Sequence, residues 1–267
     1  MKWTRPILIT LLGQLFVIGA LFVVGALGVT TPVSADTLLR DDPPPNTRGR
    51  SAGSRGCSLQ TTAADIPAET QAMPAIILLA PSGLGKTIST RPAFAWFNRD
   101  SGANTPAIFR LYAYDDVDQT YQRLVETQNE TAQAGIVAFS LPEAAANLEV
   151  GQRYLWQIEL VCDRNRPSGN LFAEAEFEVI APSPALTQTL STAPSDADKA
   201  TIFTIQGLWY DALGMTLAPH SPADEAMNTL RARLFSQVTV TETEQTQFEE
   251  SAVYWVEGEA WRVELGG

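Results

Sequence analysis

The segment Leu171-Phe172-Ala173-Glu174-Ala175-Glu176-Phe177-Glu178-Val179 is the most regular strand pattern in the chain. Leu171, Ala173, Ala175, Phe177 and Val179 share one side of an extended backbone, and Glu174, Glu176 and Glu178 share the other. Successive side chains of a strand point to opposite faces, so this period of two predicts a half-buried strand whose carboxylates face water. Six runs upstream read the same way. Ile76–Leu79 is an apolar run stopped by Pro81-Ser82-Gly83, and Pro92–Phe97 puts Phe94 and Trp96 on one face. Ala107–Tyr114 sets Ile108, Arg110 and Tyr112 opposite Phe109, Leu111 and Ala113. Tyr121, Arg123 and Val125 alternate, Gly135–Leu141 follows, and Tyr154–Cys162 aligns Tyr154, Trp156, Ile158 and Leu160. Seven short strands with turn residues between them predict an immunoglobulin-like antiparallel β-sandwich over residues 73–181.

Beyond Pro182-Ser183-Pro184 the period changes, and residues 182–240 read as a helical pair. Ser195 and Asp198 form a capping box, after which Ile202, Ile205, Trp209 and Ala212 recur at helical spacing. A second start has Ser221 as N-cap, Pro222 at the first helical position, and Asp224 and Glu225 in the first turn. Ala223, Met227, Leu230, Leu234 and Val238 make its apolar stripe. Residues 241–267 form an acidic tail with a candidate strand at Val253-Tyr254-Trp255-Val256, followed by Trp261-Arg262-Val263. The expected fold class is mostly β with a helical annex, α+β.

The opposite end reads as an export signal. Lys2 and Arg5 precede an uncharged apolar run, Ile7–Val29, and Val33-Ser34-Ala35 places small residues before a cut between Ala35 and Asp36. The run approaches the roughly 20 residues that span a bilayer, so a retained anchor at residues 7–29 is the alternative to a cleaved signal peptide at 1–35. Both readings place the remainder outside the cytoplasm: secreted, periplasmic or at the cell surface, or tethered to the inner membrane. Residues 36–72, with Asp41-Asp42-Pro43-Pro44-Pro45 and a Gly/Arg/Ser-rich stretch at 48–56, read as a linker with little to bury.

Charge and cysteine usage narrow the classes. Thirty acidic residues against 18 basic ones give a net charge of −12, and no basic footprint for nucleic acid is present. The two cysteines, Cys57 and Cys162, are expected to form one disulfide in an oxidising compartment, with two unpaired buried thiols as the alternative. A bridge closing a loop of that length is worth about 4–5 kcal/mol in the chain-entropy model.

Each chemical motif has a plainer reading beside it. Ala80-Pro81-Ser82-Gly83-Leu84-Gly85-Lys86-Thr87 fits a relaxed phosphate-loop pattern with Ala in place of the first Gly. Phosphate cradling needs that loop to enter a helix, but Ile88-Ser89-Thr90-Arg91-Pro92 favours a strand, so a turn between strands is expected and no nucleotide. His220, the single histidine, lies between two prolines in the helix–helix turn and is expected to be solvated or capping rather than catalytic. Asp115, Asp116 and Asp118 could ligate calcium, which takes six to eight oxygens; a solvated hairpin is the favoured reading. Trp96, Trp156, Trp209, Trp255 and Trp261 are candidates for a glycan or peptide platform, yet their phase with apolar neighbours predicts core packing. Asn129-Glu130-Thr131 is a glycosylation sequon where the host glycosylates. No catalytic set, metal site or cofactor site emerges.

Several segments together resemble a family, found mainly in cyanobacteria, catalogued as domain-of-unknown-function family 928. They are Arg55-Gly56-Cys57, Pro92-Ala93-Phe94-Ala95-Trp96, Leu148-Glu149-Val150-Gly151-Gln152-Arg153-Tyr154-Leu155-Trp156, Leu160-Val161-Cys162-Asp163, and Gly207-Leu208-Trp209-Tyr210-Asp211-Ala212-Leu213. The resemblance spans about residues 55–240 and implies an exported protein with a β-rich part and a helical end, and no catalytic residues. The expected role is a non-enzymatic extracytoplasmic interaction module for envelope proteins or glycans. The alternative is a secreted hydrolase using paired carboxylates.

Overall fold

Apolar residues come in two patterns in this chain, and each pattern builds its own sheet. Continuous runs form β1 (Ile76–Leu78), β3 (Ala93–Asn98) and β6 (Gly135–Ser140). Such runs mark strands covered on both faces. Alternating runs form β4 (Ala107–Asp115), β5 (Thr120–Asn129), β7 (Arg153–Leu160) and β8 (Leu171–Val179), strands with one wet face. Three short strands complete the set: β2 (Gly85–Thr87), β9 (Val253–Glu257) and β10 (Arg262–Leu265). The computed structural model describes residues 75–99, 105–129, 133–218, 224–239, 241–257 and 262–265, all of which lie in one unit, Pro43–Gly267.

The doubly covered strands β1, β3 and β6 belong to sheet A, in the order β1-β3-β6-β9, and the alternating strands belong to sheet B, in the order β10-β5-β4-β7-β8-β2. Each sheet departs from an all-antiparallel arrangement at one edge. Thr87 pairs with Val179 in a parallel β2–β8 ladder, and Ile136 pairs with Val253 in a parallel β6–β9 ladder.

The inner faces of the two sheets meet through rings. Phe94 of β3 lies 5.1 Å from Phe109, 5.2 Å from Trp156 and 5.4 Å from Phe177, all on sheet B, and Phe109 lies 4.5 Å from Phe139 of β6. Burying one such side chain is worth about 1.5–3 kcal/mol, and a well-set ring pair adds about 0.5–1.5 kcal/mol. Trp96 and Trp156, fully buried, belong to this core rather than to a surface platform.

Five helices are described: α1 (Pro184–Thr192), α2 (Asp196–Ile205), α3 (Trp209–Leu217), α4 (Glu225–Phe235) and α5 (Glu242–Glu250). Phe97 of β3 stacks on Phe248 of α5 at 4.6 Å, Phe248 meets Phe235 of α4 edge-on at 5.5 Å, and Trp255 Nε1 of β9 donates to Leu217 O of α3 at 2.7 Å. This helical layer is the second cover that sheet A's unbroken apolar runs require.

Several expectations need correction. The anticipated first helix is two, because Gly207 takes φ 69° and ends α2, a left-handed position that suits glycine. Ile205 is therefore 74 % exposed instead of joining the stripe of Trp209 and Ala212. The Ser195 cap is as expected, accepting from Asp198 N at 3.1 Å. The N-cap of α4 is Asp224, accepting from Met227 N at 3.0 Å, whereas Ser221–Ala223 and His220 lie outside the described residues. Helices α1 and α5 were not anticipated; α1 buries no residue, and α5 carries one apolar anchor, Phe248, in a Glu-rich segment. Lastly, the phosphate-loop look-alike is β2 and its approach.

Helix α3 locks the helical layer onto the sandwich. Tyr210, 1 % exposed, lies between Phe94 at 6.0 Å and Phe177 at 5.1 Å, and its hydroxyl accepts from Trp156 Nε1 at 2.9 Å. Trp209 Nε1 donates to Leu79 O at 2.9 Å, and Asp211 Oδ2 accepts from Ile88 N at 3.0 Å. Gly85 belongs to the same contact, since a Cβ there would stand 2.6 Å from the Tyr210 ring. Gly85→Ala should thus lower stability by about 1–3 kcal/mol through overpacking. A denaturant midpoint unchanged from the parent protein would refute this reading.

Candidate functional site

A cleft of about 480 Å³ lies between the β4–β5 hairpin and the β6–β7 connection. Its floor begins with a β-bulge. Leu111 pairs with Val125 and Tyr112 with Arg123, so Leu124 is an extra residue on β5. Bulges re-aim side chains, and Leu124 joins Leu111, Ala113 and Val125 in lining the cleft.

The roof is residues 141–149, held from several directions. The Arg91 guanidinium donates to Leu141 O at 2.9 Å, Pro142 O at 2.6 Å and Ala145 O at 2.9 Å. Leu148 N donates to Thr90 O at 2.9 Å. Glu149 N donates to the Tyr154 hydroxyl at 2.7 Å, and burial raises the pKa of that hydroxyl, so it stays protonated at neutral pH. Gly151, at φ 86°, makes the tight return into β7. Gln152 Nε2 donates to Tyr114 O and, at 3.0 Å, to Arg153 O. The roof is thus fixed by the protein's own bonds. Its volume falls within the roughly 300–1,000 Å³ usual for small-molecule sites. Leu141, Ala145 and Leu148 make the roof apolar, and Gln122, Asn147, Glu149 and Gln152 form a polar rim.

A second polar group lies on the outer face of sheet B. Arg110 Nε donates to Glu126 Oε2 at 2.6 Å, and its Nη1 bridges to Glu159 and, at 3.2 Å, to Gln157 Oε1. Asn170 Nδ2 holds the other Glu159 oxygen, and Arg123 reaches Glu126 at 2.8 Å. Gln157 Nε2 donates to Glu174 Oε2 at 3.3 Å. Glu174 was expected to face water, yet it is only 8 % exposed and its Oε1 is buried without a hydrogen-bond partner. Its strand position does point outward, but it sits inside a six-stranded sheet under long neighbouring side chains. Burial raises its carboxyl pKa.

The residues singled out from sequence are scattered. Cys57, Ala35, Asp36, residues 7–29 and Trp261 lie outside the described residues. Cys162 lies two residues beyond the end of β7, its N–H donating to Asn170 Oδ1 at 3.1 Å. Asp115 shapes the β4–β5 turn, its Oδ1 accepting from Val117 N at 2.8 Å and Asp118 N at 3.1 Å. No group of three His, Cys, Asp or Glu placed to hold a metal occurs among the described residues. No helix among them is long and apolar enough to cross a membrane. Trp209 is buried and Trp255 half-buried. Sequence reasoning missed Arg91, Leu124, Glu149 and Tyr154 as a group.

A model of the family described as Domain of Unknown Function (DUF928) matches residues 50–248. The chain belongs to this family. The segments that carried the DUF928 resemblance now have physical roles. Phe94, Trp156 and Tyr210 are one cluster of rings, and Leu148, Gly151 and Tyr154 hold the roof of the cleft. No curated protein matches the chain. Among solved structures, Astrotactin-2, a conserved vertebrate-specific and perforin-like membrane protein involved in neuronal development, is similar at 11% identity with a TM-score of 0.24, too low to bear on the fold. That match covers 71% of this chain and 36% of the other, so the chain spans about a third of that protein's length.

Two outcomes test these assignments. Because Glu174 binds its proton more tightly when folded, the stability it adds is full below its unfolded pKa and lost as pH rises through the folded one. The melting temperature of Glu174→Gln, relative to the parent, should therefore climb between pH 4 and pH 8; a flat difference would refute the burial argument. Replacing Arg91 by Ala should speed hydrogen exchange at the Leu148 amide at least tenfold, as loss of roughly 1.4 kcal/mol of local stability requires.

Proposed function

We propose that this protein is a non-enzymatic extracytoplasmic binding module that accommodates an apolar ligand in the cleft beneath residues 141–149. The observation that carries this reading is the clamped roof. Arg91 and Tyr154 spend hydrogen bonds on holding an apolar hollow open in a fixed shape, and preorganised sites bind with less ordering entropy lost. The cleft's lining includes one carboxylate, Glu149. Across the sheet, Glu126 and Glu159 are engaged by Arg110. Both facts favour binding over hydrolysis by a carboxylate pair.

The immunoglobulin-like reading of the sandwich draws support from two features. In that fold a tyrosine near the start of the penultimate strand bonds back to upstream backbone. Tyr154 at the start of β7 does so through Glu149 N. The strands β1, β3 and β6 form one sheet and β5, β4, β7 and β8 the other, a division also found in immunoglobulin-type domains. Export is supported by Lys2, Arg5, the run Ile7–Val29 and the small residues ending at Ala35. A Cys57–Cys162 disulfide suits that compartment and would fasten the Arg48–Gly56 stretch to the end of β7.

Methyl-resolved NMR of the full-length protein with labelled Leu and Val, titrated with octanol, tests the cleft. Saturable shifts are expected at Leu111, Leu124, Val125 and Leu148. Ala146→Trp, at an exposed position lining the cleft, should weaken octanol binding at least tenfold. Shifts confined to other methyls, or indifference to the tryptophan, would sink the assignment.

A further inference from the structure

We infer that the cleft, resting on the binding reading above, selects ligands that join an aliphatic body to a cationic head, the simplest of them an alkylammonium. Leu111, Val125, Leu141 and Leu148 line its interior, and they favour aliphatic surface by about 25 cal/mol per Å² buried. The rim is electrically one-sided. Glu149 is its charged member, and no Lys, Arg or His is among the residues lining the cleft. A ligand carboxylate or phosphate would therefore meet a like charge at the rim, while the nearby Arg91 guanidinium is engaged by the roof carbonyls of Leu141, Pro142 and Ala145. The chain's net charge of −12 adds a weaker field of the same sign.

Glu149 is also held in position. Its N–H is fixed by the Tyr154 hydroxyl at 2.7 Å, and the Leu148 N–H before it is bonded to Thr90 O at 2.9 Å. Among the described residues no Lys or Arg forms an ion pair with it, so its carboxylate is available to a ligand. Gln122, Asn147 and Gln152 add neutral amides around the same rim. An ammonium group leaving the mouth of the cleft would meet the Glu149 carboxylate while its chain lies against the leucines.

The test titrates the full-length protein, labelled at Leu and Val methyls, with octylammonium, octanol and octanoate. Octylammonium should bind most tightly and octanoate least, on the order of three- to tenfold apart, as one partly exposed charge contact allows. Glu149→Gln should bring octylammonium to the affinity of octanol. Glu143→Gln, at an exposed roof residue that does not line the cleft, should leave the ranking intact. Octanoate binding as tightly as octylammonium, or equal effects of the two variants, overturns the charge selection but leaves the apolar cleft standing. If none of the three probes shifts Leu111, Val125 or Leu148, the binding reading itself is wrong.

Discussion

Tyr210 places a hydroxyl in a dry aromatic core, and the surrounding architecture has to accommodate that group. A buried hydroxyl or indole N–H without a partner is unfavourable by about 1–3 kcal/mol. Here each satisfies the other, with Trp156 Nε1 donating to the Tyr210 oxygen at 2.9 Å. The bond works only if α3 sits against the open edge of the sandwich, which requires Gly85 to lack a side chain. It also requires that β2 run beside β8 to bring Gly85 there. Trp209 and Asp211 fix the same helix turn to Leu79 O and Ile88 N. Helical and β parts share one core because their polar and apolar demands are met together.

Sheet A sets a second constraint. Its strands β1, β3 and β6 have no wet face, so they need sheet B on one side and the helices on the other. Phe97 under Phe248, and Trp255 bonded to Leu217 O, show the helical side of this arrangement. Sheet B has no second layer over its outer face among the described residues, and it carries the Arg110 network there. The cleft arises where the β4–β5 hairpin meets the β6–β7 connection instead of another strand.

The long strands of sheet B, β4, β5, β7 and β8, were legible because alternation is a local property of eight to ten residues. The continuous runs of sheet A were equally visible, although their second cover was not, since nothing near Phe97 announces Phe248. Lys86 looked like a phosphate ligand by spacing alone; the strand that contains it is explained by Tyr210, more than a hundred residues away in sequence. The break between α2 and α3 was written in Gly207, but a period count runs across a single glycine. The cleft was the least legible feature. Arg91 and the carbonyls it gathers give no sequence signal, because backbone oxygens accept bonds whatever residue bears them. The Leu148–Tyr154 segment was noticed as part of a resemblance, and its mechanical use became clear only with the hydroxyl on Glu149 N.

The bond from Trp209 to Leu79 joins residues 130 positions apart, and that from Asp211 to Ile88 joins residues 123 apart. Closing such spans is entropically slow, and folds rich in them have high contact order. During synthesis, the strands holding Trp156 and Phe177 are made well before the helix that completes their core. Until Tyr210 arrives, the Trp156 indole lacks the acceptor it has in the finished fold, so a chain stopped before α3 leaves that buried donor without this partner. The aromatic core is therefore completed only by a segment made after all of the strands that line it.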